Sequence, residues 1–552
     1  MKKLRVGYIL DEGQQSNLIF DLIERSKQSN HYIIEYLIIQ KSQNSGKRNF
    51  KKYKDLDLVY RTITSIFFSL IIKLEKKLLL KNKIYQKHFN TYSLNSFSIP
   101  LIEVSPNVSK SGYVYKYSEF DLNQIKKLNL DLLIRGGNGI LRGEILNICK
   151  FGILSLHHGN NDINRGGPPG FWEVYSRIPE TGFIIQKLYN ELDGGDVYVK
   201  GAIPTSPSYL MNLLRIHVIA NVYFDKLLNS IGEKNEIPKA FPKKPYSFEL
   251  YKLPSIKVQC LYLLKTFHYK ISDIILSKIG YKLNWAIAYI FNDNLDNLEF
   301  RKFKKIENPP NRFYADPFVF CQSGLNICFV EDYDYQKGKA KISALEINTN
   351  GYIELGTAIE EKFHMSYPFI FKNGDDLYMC PETHQLSEIR LYKCIDFPLK
   401  WEFYKTLIKD ISASDTNIFY LNNKWWMLSN IDTGNLGDYC SELHLFFSDS
   451  LDNNWSPHPL NPIFFSPLNA RNGGLLIKNN DIFRVFQVQG FDNYGESMSV
   501  AKIIEISEYN YKEEVVFDIT PAFFKNLKGT HTFSNHSNLN TIDYSKFEKI
   551  KK

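Results

Sequence analysis

The sequence predicts a multidomain protein, an α/β unit built on a parallel sheet followed by an all-β unit of repeated strand pairs. Three observations carry that expectation. Up to about residue 200, short apolar runs alternate with stretches of helical periodicity, the pattern of strand–helix–strand units that feed a parallel sheet. From about Asp293 the helical periodicity stops, and short aromatic-rich strands separated by turns take over. A chain of 552 residues also exceeds what one core ordinarily serves. We place the α/β domain at 1–240, a helical linker at 241–292 and the all-β domain at 293–552.

In chain order, strands are expected over 5–10 and 32–39, with a helix near 17–27 between them. Residues 41–55 are polar and Lys-rich and read as loop. The apolar runs 66–72 and 78–80 are interrupted by Lys73, Glu75, Lys76 and Lys77 well before the roughly 20 residues a membrane span needs. They read as amphipathic helix, and no transmembrane segment is expected. A strand over 100–104, a helix near 122–127 and a strand over 131–134 follow, the last ending in Arg135-Gly136-Gly137-Asn138-Gly139. Open α/β sheets bind ligands at such carboxyl ends. The glycine spacing and its place after a late strand are not those of a dinucleotide fingerprint, so NAD is not implied. A helix near 209–228 and the Pro/Lys-rich stretch 238–245 close the domain. Residues 251–290 read as helical.

Hydrophobic content of 44% and charged content of 23% are those of a globular protein, and 35 Tyr with 39 Phe make it aromatic-rich. The net charge of +9 is spread among acids with no repeated basic-aromatic module, which argues against a nucleic-acid partner. Seven cysteines without a CxxC pair indicate neither a disulfide framework nor a zinc site, and no metal is expected. Met1 to Leu10 runs straight into a strand with no apolar signal segment, so a cytoplasmic location is expected.

The most informative stretch begins at Gly152-Ile153-Leu154-Ser155-Leu156-His157. It continues through Arg165-Gly166, Pro168 and Thr181-Gly182 to Asp193-Gly194-Gly195. This series resembles the catalytic core of the folate-dependent formyltransferases, where Asn-x-His ends a strand, Arg-Gly and Pro follow in a loop, Thr-Gly opens the next strand and Asp-x-Gly closes the site. Ser155 stands where the family has Asn. The resemblance implies a Rossmann-like formyltransferase domain with 10-formyltetrahydrofolate as formyl donor. It makes His157 the central base or oxyanion stabiliser and Asp193 its orienting partner. Formyl transfer to an amine passes through a tetrahedral oxyanion and an ammonium that must lose a proton, so a donor and a base are both needed. Ser155 is expected to donate through its hydroxyl or to yield that task to Asn160, Asn161 or Asn138. The resemblance also makes Arg135, Gly136, Gly137, Asn138, Gly139, Ile140 and Leu141 the backbone segment that wraps the folate pterin.

Residues 293–552 contain an internal repeat. Asp316-Pro317-Phe318-Val319-Phe320 with Ile327 to Asp332 is echoed by Tyr367-Pro368-Phe369-Ile370-Phe371 with Leu377 to Glu382. Asp415 to Tyr420 with Trp425 to Leu428, and Asn472 to Ile477 with Ile482 to Gln487, are further copies, and Gly529 to Phe533 is a fifth candidate. Each is a strand, a turn and a second apolar strand, so a five-bladed β-propeller is expected. The pattern resembles the propeller of furanosidase- and xylosidase-type glycoside hydrolases. It also resembles the N-terminal domain of plant inositolphosphorylceramide glucosamine transferases. Strands that open at a central axis would bring Asp316, Glu382 and Asp415 to one pocket, and paired carboxylates are what glycosyl transfer uses. The hydrolases order these residues Asp, Asp, Glu, whereas here the order is Asp, Glu, Asp.

The leading expectation is an enzyme moving a formyl group from 10-formyltetrahydrofolate to an amino sugar, nucleotide-linked, in surface glycan biosynthesis. The rivals are a glycosyltransferase or glycosidase working through the propeller, and a glycan-binding protein.

Overall fold

The computed structural model describes residues 2–41, 56–109, 112–191 and 194–549. They form two compact units, the chain dividing between Thr266 and Phe267.

In the first unit a seven-stranded sheet runs in the order Asp196–Pro204, Glu180–Lys187, Ile153–His157, Leu132–Arg135, Leu4–Asp11, Tyr32–Gln40, Leu101–Val104. The strands from Ile153–His157 to Leu101–Val104 are parallel, and the two C-terminal ones are antiparallel. This is a Rossmann-like order. Chain direction across the sheet reverses between Leu4–Asp11 and Leu132–Arg135, which makes their carboxyl ends the topological switch point. Near-continuous apolar sequence suits these central strands because both faces are covered. Ile9, Ile38, Leu133 and Ile153 pack with Leu122 and Ile125 in one core cluster. The helix Glu119–Lys126 starts before its predicted place because Ser118 and Asp121 form a capping box, each side chain bonding the other's backbone N–H.

The second unit consists of five antiparallel sheets. Four are four-stranded meanders at their core, opened by the strands Arg312–Gln322, Ser366–Asn373, Ala413–Leu421 and Asn472–Lys478. The fifth joins Tyr281–Phe291 to Leu539–Lys549, with Phe533–His536 beside the latter. Hydrogen bonds link the sheets in a circuit. Tyr367 N donates to Asp316 Oδ2 (3.2 Å), Tyr367 Oη to Asn417 Oδ1 (2.9 Å) and Asn417 Nδ2 to Gly474 O (3.2 Å). Thr530 N then donates to Gly495 O (2.8 Å), and Val319 N to Ser534 Oγ (3.1 Å) returns to the first sheet.

Here the structure corrects the expected helical linker over 241–292. The helix spans Ile256–Lys278 only, and Tyr281–Phe291 is a strand paired along its whole length with Leu539–Lys549. Its run Trp285-Ala286-Ile287-Ala288-Tyr289 lacks polar alternation because Ile287 and Tyr289 enter one core cluster and Ala286 and Ala288 another. Local periodicity could not reveal a partner at the far end of the chain.

Candidate functional site

Ser155 and His157 sit two residues apart on the strand Ile153–His157, so both side chains leave the same face. Ser155 pairs with Arg135 on one side and Gln186 on the other, which places it beside the switch point. Among the described residues its hydroxyl donates to the neighbouring Leu156 carbonyl, at 3.4 Å. His157 Nε2 lies 3.0 Å from the backbone oxygen of Asn164, whose side chain in turn donates to Glu173 Oε1. Burial raises the Glu173 carboxyl above its usual range, and its Oε2 has no partner among the described residues. The adjacent histidine behaves differently. The His158 ring meets His217 at 4.3 Å, and burial holds His158 well below the usual range and His217 at about 4, so both stay neutral.

Two glycines let the surrounding loops close. A Cβ on Gly182 would come within 2.9 Å of Asn160 N, so the loop after His157 lies directly on this strand. Gly166 has φ +99° and would clash with Tyr251 O at 2.4 Å, and Gly167 N donates to that same carbonyl. Residues 241–251, expected as linker, therefore belong to the site. Phe241 N bonds Val197 O, and the Arg165 guanidinium lies over the Tyr246 ring at 4.3 Å. Together they wall a cavity of about 360 Å³, into which Asn161, Arg165, Lys200 and Lys244 also face. Among its charges Lys200 pairs with Asp162 (2.5 Å) and Arg165 with Glu191 (3.2 Å). Asp193 lies outside the described residues. Gly195, two positions on, is tied by its N–H to Gln186 Oε1 at 3.2 Å.

At the switch point, Asp11 Oδ2 accepts from both Asn138 N (2.7 Å) and Asn138 Nδ2 (2.8 Å). The Asn138 amide thus helps to hold the turn through one of its two N–H donors. Gly136 and Gly137 are required by the protein's own packing, since a Cβ on either would strike Tyr8 or Asp11. Leu141 is buried in the core cluster and offers a ligand only its backbone; Ile140 and Leu141 lie in a short strand beside Val114–Lys116. Arg135 is buried, donates from Nη2 to Gly139 O (3.2 Å), and leaves Nε and Nη1 without partners among the described residues.

The second unit holds a denser polar cluster. Asp316, Tyr367 and Asp415 occupy the same place in successive sheets, each at a break in strand register and each with φ near +48° (47°, 47° and 48°). A bulge of this kind re-aims a side chain, and Asp tolerates the left-handed region better than most residues. Glu331 and Glu382 stand at one shared offset in the following strands, opposite Ala315 and Ser366. Sequence reasoning selected Glu382 and missed Glu331, although the equal offset was there to be read.

Ser414 brings Glu382 and Asp415 together. Its hydroxyl donates to Glu382 Oε2 and lies 2.9 Å from Asp415 Oδ1, while Arg471 Nε donates to Asp415 Oδ2 at 2.6 Å. Burial alone would raise Glu382, but the His384 hydrogen bond and the Arg471 charge outweigh it and hold the carboxyl at about 2. Burial lifts Asp415 to about 7 against the pull of Arg471. Glu331 is pushed well up by burial and by the charges of Asp316 and Glu382. Asp316 adjoins this pair through its charge but bonds elsewhere, to Thr532 Oγ1 (2.8 Å) and Tyr367 N.

Asp316, His531 and Asp543 offer ligand atoms that lie within 4.8 Å of one another and could hold a cation. The carboxylate oxygens already accept hydrogen bonds, Asp543 Oδ1 from His531 N (2.8 Å) and Thr532 N (2.9 Å). Asp316 lies more than two hundred residues from the other two, which is why local Cys and His spacing gave no hint of the group. Trp285 stacks on the His531 ring at 3.8 Å.

Fold and site together define a two-unit protein, one Rossmann-like with a histidine at the end of an inner strand, the other β-rich with a buried carboxylate cluster. Residues 302–548 match the family described as glucosamine inositolphosphorylceramide transferase 1, N-terminal. The glucosamine inositolphosphorylceramide transferase 1 of Arabidopsis thaliana is 32% identical over 216 residues, 38% of this chain and 28% of that protein. The methionyl-tRNA formyltransferase of Malacoplasma penetrans is 28% identical over 110 residues, 20% of this chain and 34% of that one. Among solved structures, the family 117 glycoside hydrolase Zg3597 of Zobellia galactanivorans covers 48% of this chain and 91% of its own, at 11% identity and a TM-score of 0.32. The chain thus spans about a third or less of the length of the curated relatives it matches. By name, both of those sequence relatives are transferases.

Proposed function

We propose that the chain is a glycan-related transferase whose first unit moves a formyl group from 10-formyltetrahydrofolate to the amine of a nucleotide-linked amino sugar. The observation that carries this reading is His157 at the carboxyl end of its strand, where Ser155 of the same face pairs with Arg135 at the start of the switch-point turn. The folate would supply the formyl carbon. The orphaned nitrogens of buried Arg135 fit a group rich in acceptors at that turn, with the backbone of residues 136–141 alongside. His157 would take the proton from the ammonium that the amine becomes on attack, and Asp193 would help relay it. Ser155, its hydroxyl loosely held, would turn to donate to the oxyanion. The test is to mix the protein with 10-formyltetrahydrofolate and a panel of amino sugars and follow folate absorbance.

We read the second unit as a five-bladed propeller, supported by the five sheets and their hydrogen-bonded circuit. Its buried Glu382, Asp415 and Asp316 favour a glycan-handling role, and glycosyl transfer there is the second reading. Sugar release or transfer without folate would support it.

A further inference from the structure

Helix Leu56–Leu79 buries Thr64, Phe68, Ile71 and Glu75, which at 3.6 residues per turn share one side. The remaining surface is itself divided. Tyr60, Ile63, Ile66, Leu70, Leu74 and Leu78 make a second stripe along the helix, each between 43% and 57% exposed, while Ser65, Ser69, Lys73 and Lys76 occupy the other flank. A contiguous apolar stripe of this length on a surface helix marks an interaction face rather than scattered exposure. The neighbouring helix Ile256–Lys278 is pinned to it by Gln259 Nε2 to Thr64 O (3.1 Å) and by Tyr262 to Glu75, and it adds exposed Leu261 and Leu264.

Charge identifies the occupant. Every exposed charged side chain from Tyr60 to Lys83 is basic: Arg61, Lys73, Lys76, Lys77, Lys81 and Lys83. The one acid in that stretch, Glu75, is buried and accepts from Leu210 N at 2.7 Å. Two copies paired through this face would set basic rim against basic rim, which disfavours self-association. No helix among the described residues is long and apolar enough to cross a membrane, so the stripe would lie on a bilayer rather than in it. We propose that this face docks in the interfacial region of an anionic phospholipid bilayer, the apolar stripe entering the acyl boundary and the lysines meeting the headgroups.

The test is co-sedimentation of the full chain with vesicles of phosphatidylcholine alone and with vesicles in which about a third is phosphatidylserine. The expected result is binding at least about tenfold stronger to the anionic vesicles, weakening as salt is raised. Ile63→Glu with Leu70→Glu should reduce it at least about tenfold with an unchanged melting temperature. Lys73→Glu with Lys77→Glu, both at the surface, should do the same and keeps the test decisive if the first variant misfolds. Absence of vesicle binding by the wild type, or undiminished binding by the folded variants, overturns the proposal. So does a wild-type dimer that the stripe variant converts to a monomer, since the face would then belong to a second copy.

Discussion

His157 Nε2 stands 3.0 Å from the backbone carbonyl oxygen of Asn164. A carbonyl only accepts, so Nε2 carries the proton, and in the neutral ring Nδ1 is the basic nitrogen. The histidine is therefore held in one tautomer by main chain, which a substitution at Asn164 cannot remove. His157→Ala should lower formyl transfer at least about a hundredfold while leaving the melting temperature within a few degrees of wild type. Near-normal turnover by the folded variant would remove His157 from the chemistry.

Ser155 offers a hydroxyl that, among the described residues, reaches Leu156 O. If it turns to stabilise the oxyanion, Ser155→Ala should cost on the order of a hundredfold in turnover, and Ser155→Asn should preserve or raise it. Steady-state rates of the three proteins decide the point. Equal inactivity of all three would mark the first site as degenerate.

The paired rings of His158 and His217 give a pH signature. With His217 held at about 4, the unfolded chain binds more protons than the folded one between that value and the ordinary histidine range. Stability should therefore be full above about pH 6.5 and fall as pH drops towards 4, by about 2 kcal/mol, less than the full shift implies because both rings keep some contact with water. Denaturant melts of wild type and His217→Phe across this range should converge at high pH and separate at low pH in favour of the variant.

In the second unit, Arg471 serves both Asp415 and, at 4.0 Å, Glu382. Arg471→Met should destabilise the protein by roughly 3–5 kcal/mol at neutral pH, because it strands buried carboxylate charge. The loss should shrink at pH 4, where carboxyl groups can take up protons. A deficit that does not depend on pH would mean that packing, not charge, is what Arg471 supplies.

Much of this organisation was legible in the sequence, for physical reasons that can be named. The strand-helix alternation up to residue 200 and the repeat at Asp316, Tyr367 and Asp415 are local patterns, so they could be read without coordinates. The strand Tyr281–Phe291 was misread because only its partner Leu539–Lys549 defines it. The distinct environments of His157 and His158 were invisible, since adjacent residues at a strand end look alike until His217 is placed. Glu331 is marked only by its position, opposite Ala315 as Glu382 is opposite Ser366, and Arg471 escapes local reading because its partners come from other sheets.

The central claim, formyl transfer by the first unit, is tested most directly by single-turnover assay of the full chain with 10-formyltetrahydrofolate and nucleotide-linked amino sugars. The account predicts a folate absorbance change that requires the amine, yields the formamido sugar and disappears in His157→Ala. Sugar transfer or release with no folate turnover under any acceptor would contradict it and move the chemistry to the carboxylates of the second unit.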